Sequence, residues 1–428
     1  MGDDGEYVMG EEPPNADGLT RAGPMLMPIR TMVPGTWGTP GTWSAMGNAA
    51  LVLTNPGFSR AYDSGLGETH PYLLADWMMV RGRTSDGVWE GMLMLNFEAL
   101  TFTRDGWYEV GQAGEGLWDR QHQHQLLHQA LLAVHLMGKE KRGFLATLWG
   151  GQGSAPVGPP IFMHRTSTPS HLVPRKHHKG ENPHETLPVL GATLEIGGTA
   201  LDFGVFSARD LHPSDVRYYP RFDAPTSYAA RLRQSIGGTY EAQISALRLA
   251  DTGAHDGTQL SASIYGRAVE KRFVMDALLD FAVDVPDAGS HGHELEPYGA
   301  PFPVTAQSGA HAHHGSNNAA AALAEVALRD ASLRDMGWAR VEMNQRSEPG
   351  GAVSGPWLFT TLGYEHLVWV APESTFGLGL FAEATHVIVP RALEGLYGDR
   401  TGVTTTVGMM GHFMYMPEHL GHGSAHHH

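Results

Sequence analysis

Along most of this chain apolar and polar residues alternate with a period of two, the spacing of a strand whose two faces meet different surroundings. The run Phe273 to Asp284 is the clearest case. One face reads Phe273, Met275, Ala277, Leu279, Phe281 and Val283, and the other carries Asp276, Asp280 and Asp284. A helix would scatter those carboxylates around its circumference; a strand puts them on one side. In the same way Leu190, Ala192, Leu194 and Ile196 oppose Gly191, Thr193 and Glu195, and Leu201, Phe203 and Val205 oppose Asp202 and Gly204. Gly197-Gly198 and Gly237-Gly238 each separate two such runs, as two-residue hairpin turns do.

Extending this reading predicts strands near 43–54, 72–83, 88–103, 126–138, 142–151, 187–197, 199–209 and 226–236. Eight more follow near 239–250, 257–268, 272–285, 319–330, 334–346, 356–370, 374–388 and 401–416. The alanine-rich run from Asn318 to Arg329 fits a helix as well as a strand. The connections alternate. Short ones fall at 84–87, 139–141, 197–198, 237–238, 269–271, 331–333 and 371–373, and most of the others are long, notably 55–71, 104–125, 152–186, 210–225 and 286–318. About 16 antiparallel strands, with short turns on one rim and long loops on the other, is the pattern of an all-β transmembrane barrel of the bacterial outer membrane. A soluble sandwich or propeller has no reason to alternate its loop lengths. The predicted organisation is an N-terminal extension over 1–42, periplasmic or plugging the lumen, a barrel over 43–416, and a tail over 417–428.

Composition agrees. Charged residues make up only 17% of the chain, yet no stretch reaches the roughly 18 apolar residues of a membrane helix. The 54 Gly and 27 Pro suit a chain of many turns. With no Cys there is neither a disulfide framework nor a thiolate site. A net charge of −16 argues against nucleic acid as a partner. Met1-Gly2-Asp3-Asp4 lacks the charged and apolar regions of a signal peptide and reads as a start that replaces a removed signal. The closing Gly423 to His428 reads as a tag. Trp77, Trp89, Trp149, Trp338, Trp357 and Trp369 are candidates for an aromatic girdle at the membrane interface.

Three loop segments resemble motifs of an uncharacterised family of Gram-negative outer-membrane β-barrel proteins, of approximate form D-R-Q-H-P-H-D, G-P-x-x-F-M-H-R, and L-G-H-H followed by T-H. They stand here as Asp119 to Gln125, Gly158 to Arg165, and Lys176-His177-His178 with Pro183-His184 after them. Gly91-Met92-Leu93-Met94-Leu95 also resembles the family's third strand. Gln123, Gln125 and Lys176 depart from the usual Pro, Asp and Gly. The resemblance implies a fold and a location and no substrate.

Candidate chemistry is concentrated in histidine, 25 residues in all. His122, His124, His164, His177, His178 and His184 fall on long loops of one predicted rim, where imidazoles could converge on Cu or Zn. No cofactor is otherwise required. His291, His293, His311, His313 and His314 sit on a third loop, in a tract that also reads as low-complexity. Enzyme signatures are missing: there is no G-x-S-x-G and no H-E-x-x-H. Within the barrel, alternation assigns Asp202, Arg231, Arg233, Glu241, Asp276, Asp280, Arg340, Glu342 and Glu383 to the lumen. Loop 152–186, stiffened by Gly153, Pro156, Pro159 and Pro160, is expected to fold inward and narrow the pore.

The leading expectation is therefore a porin-like channel for small solutes, cation-preferring, with a His-rich mouth. The rivals are a plugged surface-binding or structural barrel and a Ser-His lipid hydrolase. The expected partners are the lipid bilayer, lipopolysaccharide and small solutes or ions, with the oligomeric state open.

Overall fold

The structure, a computed structural model, describes residues 41, 43–55, 57, 71–96, 127–137, 144–153, 155–158, 187–207, 225–237, 240–250, 257–270, 272–287, 319–330, 334–344, 356–371, 376–391, 394 and 398–415. Sixteen strands close on themselves, each hydrogen-bonded to its sequence neighbours and β1 to β16, all antiparallel. The first eight are β1 (Trp43–Asn55), β2 (Pro71–Arg83), β3 (Trp89–Asn96), β4 (Leu127–Met137), β5 (Phe144–Gly153), β6 (Leu187–Ile196), β7 (Thr199–Phe206) and β8 (Ser227–Ile236). The second eight are β9 (Tyr240–Leu249), β10 (Gly257–Val269), β11 (Phe273–Pro286), β12 (Ala319–Asp330), β13 (Asp335–Asn344), β14 (Trp357–Val370), β15 (Phe376–Ile388) and β16 (Thr401–Tyr415). Closure satisfies every strand edge, which is what lets a sheet enter lipid.

The alanine-rich run is a strand. Its partners decide this: β12 lies in register against β11 from Ala319↔Asp284 to Asp330↔Phe273 and against β13 on its other side. The weak local preference of alanine is overridden by two ladders of backbone hydrogen bonds. Residues 97–103, expected to continue β3, lie outside the described residues. At the β6–β7 turn Gly197 and Gly198 have φ of 57° and 90°. Two consecutive positive φ values define the primed turn that matches strand twist, and glycine adopts them without steric cost.

Connections after odd-numbered strands are the long ones, and those after even-numbered strands are short, so β1 begins and β16 ends at the short-turn rim. The outer face is apolar around the ring. Leu190 is 64% exposed, Leu362 63%, Ile244 59% and Leu132 56%, with Phe203, Leu232, Leu279, Phe281, Leu380 and Val403 beside them on other strands. No water-soluble protein leaves a surface of this extent apolar. With an even strand number and the alternating loop lengths, it makes the protein a transmembrane barrel of the bacterial outer membrane.

The girdle expectation divides. Trp149, Trp338 and Trp357 are buried on the inner face, so they do not reach the lipid interface. Each shares strand parity with inward neighbours, such as Leu145 and Thr147 for Trp149. Trp89 and Trp369 face outward, joined by Trp43, Phe273 and Phe376, all at strand ends on the short-turn rim. Trp369 and Phe376 pack with ring centroids 5.6 Å apart. That rim carries an aromatic belt. The side chain of Trp77 lies outside the described residues.

Candidate functional site

Inward-facing side chains form the wall of the lumen, and many of them are charged or polar, hydrogen-bonded and shielded from solvent. The structure places all nine sequence-assigned lumen residues on this face, buried: Asp202, Arg231, Arg233, Glu241, Asp276, Asp280, Arg340, Glu342 and Glu383. They do not form one cluster.

The first group spans β5 to β11. Asp202 is its centre. Its Oδ2 accepts from Arg231 Nε and Arg233 Nε, each at 2.8 Å, and its Oδ1 accepts from Arg233 Nη2 at 3.2 Å and Thr193 Oγ1 at 2.9 Å. Thr193 in turn accepts from Trp149 Nε1 at 3.2 Å. On the other side Arg233 Nη1 lies 3.5 Å from Glu241, to which the Tyr265 hydroxyl donates. The Trp149 indole lies across the wall where Gly191 leaves room; a Cβ there would sit 2.2 Å from the ring. Further along, Gln243 donates to Ser261 and Ser263, and Ser261 donates to Asp280 at 3.2 Å.

The second group spans β12 to β16. Trp338 Nε1 donates to Glu383 at 3.1 Å, and the Trp338 ring occupies the space over Gly363, where a Cβ would lie 1.9 Å from it. Arg340 Nη1 is 3.8 Å from Glu325, and its guanidinium has no hydrogen-bond acceptor among the described residues. His412 Nε2 and Glu365 Oε1 are 2.6 Å apart. A third, smaller set lies on β2 to β5: Arg81 donates to Glu90, His135 Nε2 is 3.4 Å from Glu90, and His135 Nδ1 is 2.8 Å from Thr147.

Just past β5 the chain turns into the barrel. Ala155 and Val157 are fully buried against an apolar patch of inward residues, Ala133, Trp149, Val189, Phe206, Ala229 and Leu247, from β4 to β9. Bonds from its backbone pin the segment to β8 and β9: Gly158 N donates to Ser245 Oγ at 2.9 Å, and Gly158 O accepts from Arg231 Nη1 at 3.2 Å. The start of loop 152–186 therefore does fold inward, through residues 155–158. The rest of it lies outside the described residues.

So do His122, His124, His164, His177, His178 and His184, and the histidines of 291–314. Among the described residues no group of three His, Cys, Asp or Glu is placed to hold a metal ion. Several wall residues were not assigned to the lumen from sequence: Trp149 and Trp338, read there as girdle candidates, and Glu90, His135, Tyr265, Glu365 and His412. Strand parity counted from an apolar outward neighbour would have found each.

Counting buried ionisable groups on the described wall, eight carboxylates (Glu90, Asp202, Glu241, Asp276, Asp280, Glu342, Glu365 and Glu383) face four guanidiniums (Arg231, Arg233, Arg329 and Arg340). The excess is acidic.

No protein-family model matches this chain, and no curated protein matches it. Solved structures of similar shape include a loop-deleted form of OmpT, an outer membrane protein of Vibrio cholerae, at 10% identity and TM-score 0.47, covering 88% of this chain and 100% of that one. An anion-selective porin from Comamonas acidovorans is similar at 9% identity and TM-score 0.46, covering 87% and 99%. The outer membrane channel DcaP of Acinetobacter baumannii is similar at 10% identity and TM-score 0.42, covering 87% and 96%. Likeness at this level adds nothing on solute or selectivity to the architecture already described.

Proposed function

We propose that this protein is an outer-membrane channel for small solutes, with a preference for cations and a lumen narrowed by residues 155–158. The observation that carries the reading is the inner wall: eight buried carboxylates against four guanidiniums, enclosed by an apolar outer face. A closed wall of one predominant sign concentrates counter-ions along its axis. The test is planar-bilayer recording under a salt gradient. The expected reversal potential lies on the cation side and shrinks toward 1 M salt, where the Debye length is about 3 Å. An anion-side potential refutes the preference.

A second reading is favoured by a specific observation. Asp202, Arg231, Asp280 and Glu342 are 0% exposed, which fits a filled lumen better than a wide aqueous one. In that case the barrel is a surface-binding or structural element, and the recording is silent both for the protein as it is and for Arg231→Ala, which frees the Gly158 carbonyl.

A further inference from the structure

A row of methionines crosses the inner wall over β1, β2 and β3. Met46 on β1 is in register with Met79 on β2, and Met79 with Met94 on β3. All three are buried, at 2%, 0% and 2% exposure. The next position in the row, opposite Met94 on β4, is Gln129, itself 3% exposed. Its side-chain Oε1 has no hydrogen-bond partner among the described residues. Residues directly opposite across antiparallel strands have Cβ atoms about 4.5–5.5 Å apart, and an unbranched methionine side chain reaches that far. Three thioethers and one amide oxygen thus line a single strip.

Packing alone accounts poorly for this. Leucine would fill the same wall with fewer rotamers to fix, and an apolar strip gains nothing by ending on a buried carbonyl with no partner among the described residues, which costs about 1–3 kcal/mol. A cation would satisfy that oxygen. The donors choose which cation. Thioether sulfur is soft and uncharged, so it binds hard, strongly hydrated ions poorly and selects Cu(I) and its soft relatives. The chain has no cysteine to compete for such an ion. The row is also covered from bulk water, as an ion exchanging its hydration shell for sulfur requires.

We propose that Met46, Met79, Met94 and the Gln129 oxygen form a binding site for a soft monovalent cation, Cu(I) or Ag(I), on the inner wall. The site stands apart from the loop histidines and does not depend on the barrel being an open channel. Binding is by coordination alone and involves no electron transfer.

Silver(I) nitrate is the probe, titrated calorimetrically in chloride-free buffer into the full-length, tag-free protein in detergent, with bound silver counted by elemental analysis. The comparison is the triple variant Met46→Leu, Met79→Leu, Met94→Leu, whose side chains nearly conserve volume. The expected result is one fewer tightly bound silver per chain in the variant, with the heat-shifted gel mobility of a folded barrel unchanged. Equal stoichiometry and affinity in the two proteins overturns the site, as does wild-type binding weaker than about 1 mM. If the triple variant does not fold, methyl resonances of labelled methionine decide on the wild type. Silver should shift those of Met46, Met79 and Met94, assigned by single Leu replacements, and an unshifted set overturns the proposal.

Discussion

Asp202→Asn should unfold at markedly lower denaturant than wild type. The substitution keeps shape and removes one charge. In the folded barrel Asp202 is the shared acceptor of two buried guanidiniums, with bonds of 2.8 Å from Arg231 and of 2.8 and 3.2 Å from Arg233. All three side chains are at most 2% exposed. Removing one partner of such a group leaves cations in a medium that does not solvate them, at a cost of about 3–5 kcal/mol. Two features temper this. Asparagine keeps one acceptor oxygen, and Glu241 remains 3.5 Å from Arg233. The lower end, about 3 kcal/mol, is therefore expected. Arg231 loses its 2.8 Å bond to Asp202 and keeps the Gly158 carbonyl at 3.2 Å. Neutralising it in the Asp202→Asn, Arg231→Met double variant should then recover at least about 1 kcal/mol of the loss, a coupling expected of groups in direct contact. Reversible urea unfolding in lipid vesicles, followed by tryptophan fluorescence and by heat-shifted gel mobility, measures both quantities. A loss under about 1 kcal/mol for the single variant, or strict additivity in the double, would refute the account of Asp202 as the charge holding this wall together.

Three further outcomes follow from the same structure. Leu279→Lys puts a charge at the middle of β11 on the lipid side, at a cost of about 2–4 kcal/mol, whereas Asp280→Asn beside it keeps the outer face apolar; assembly into vesicles that tolerates the first better than the second would invert the inside–outside assignment. Gly363→Ala forces a Cβ to within 1.9 Å of the Trp338 ring and should cost about 1–3 kcal/mol by urea unfolding, while Gly91→Ala, with nothing within 4 Å, should be near neutral; equal effects would mean that Trp338 moves aside freely. In the β2–β3 turn, hydrogen bonds from Thr84 and from the Val88 amide hold the Asp86 carboxyl below its ordinary 3.8. A depressed folded-state value stabilises the turn above 3.8 and is lost as pH falls through the lower folded value. Amide exchange at Val88 should thus lose protection only in that acid range, and Asp86→Asn should abolish the pH dependence; protection that fades near neutral pH would exclude this carboxylate as its cause.

The strands were legible because lipid makes a two-sided demand on every one of them. An outward Leu279 and an inward Asp280 differ in surroundings as sharply as two adjacent residues can, so parity survives even where propensity is weak, as in Ala319 to Asp330. The same parity assigned the lumen residues. It could not say which of them meet. Asp202 lies 29 residues from Arg231 in the chain, and Trp338 lies 45 from Glu383. Their contacts depend on how far each strand slides past the next, a quantity written in turn geometry and stagger rather than in any local pattern. The tryptophans show the limit most plainly. An indole suits an interface or an interior equally by composition, and only the strand register separates outward Trp89 and Trp369 from inward Trp149 and Trp338.

The inward segment shows how the two kinds of information combine. Pro156 could be read from the sequence as a stiffener, but its destination is set by the wall. Trp149 and Phe206 offer an apolar patch on the inner wall, and Ala155 and Val157 are small and apolar enough to cover it. Once they are seated, the backbone at Gly158 faces β8 and β9, where Ser245 and Arg231 supply the acceptor and donor it needs. Arg231 thereby joins the charged network to the segment that narrows the barrel. Loss of the Asp202 charge should therefore reach beyond stability: an Arg231 that loses its ion pair with Asp202 is held less firmly, and the hold on Gly158 weakens with it. If the barrel conducts, Asp202→Asn should broaden the distribution of single-channel conductance without reversing selectivity, since most wall carboxylates remain. A uniform conductance equal to wild type would mean that Ser245 and the apolar seat hold the segment without help from Arg231.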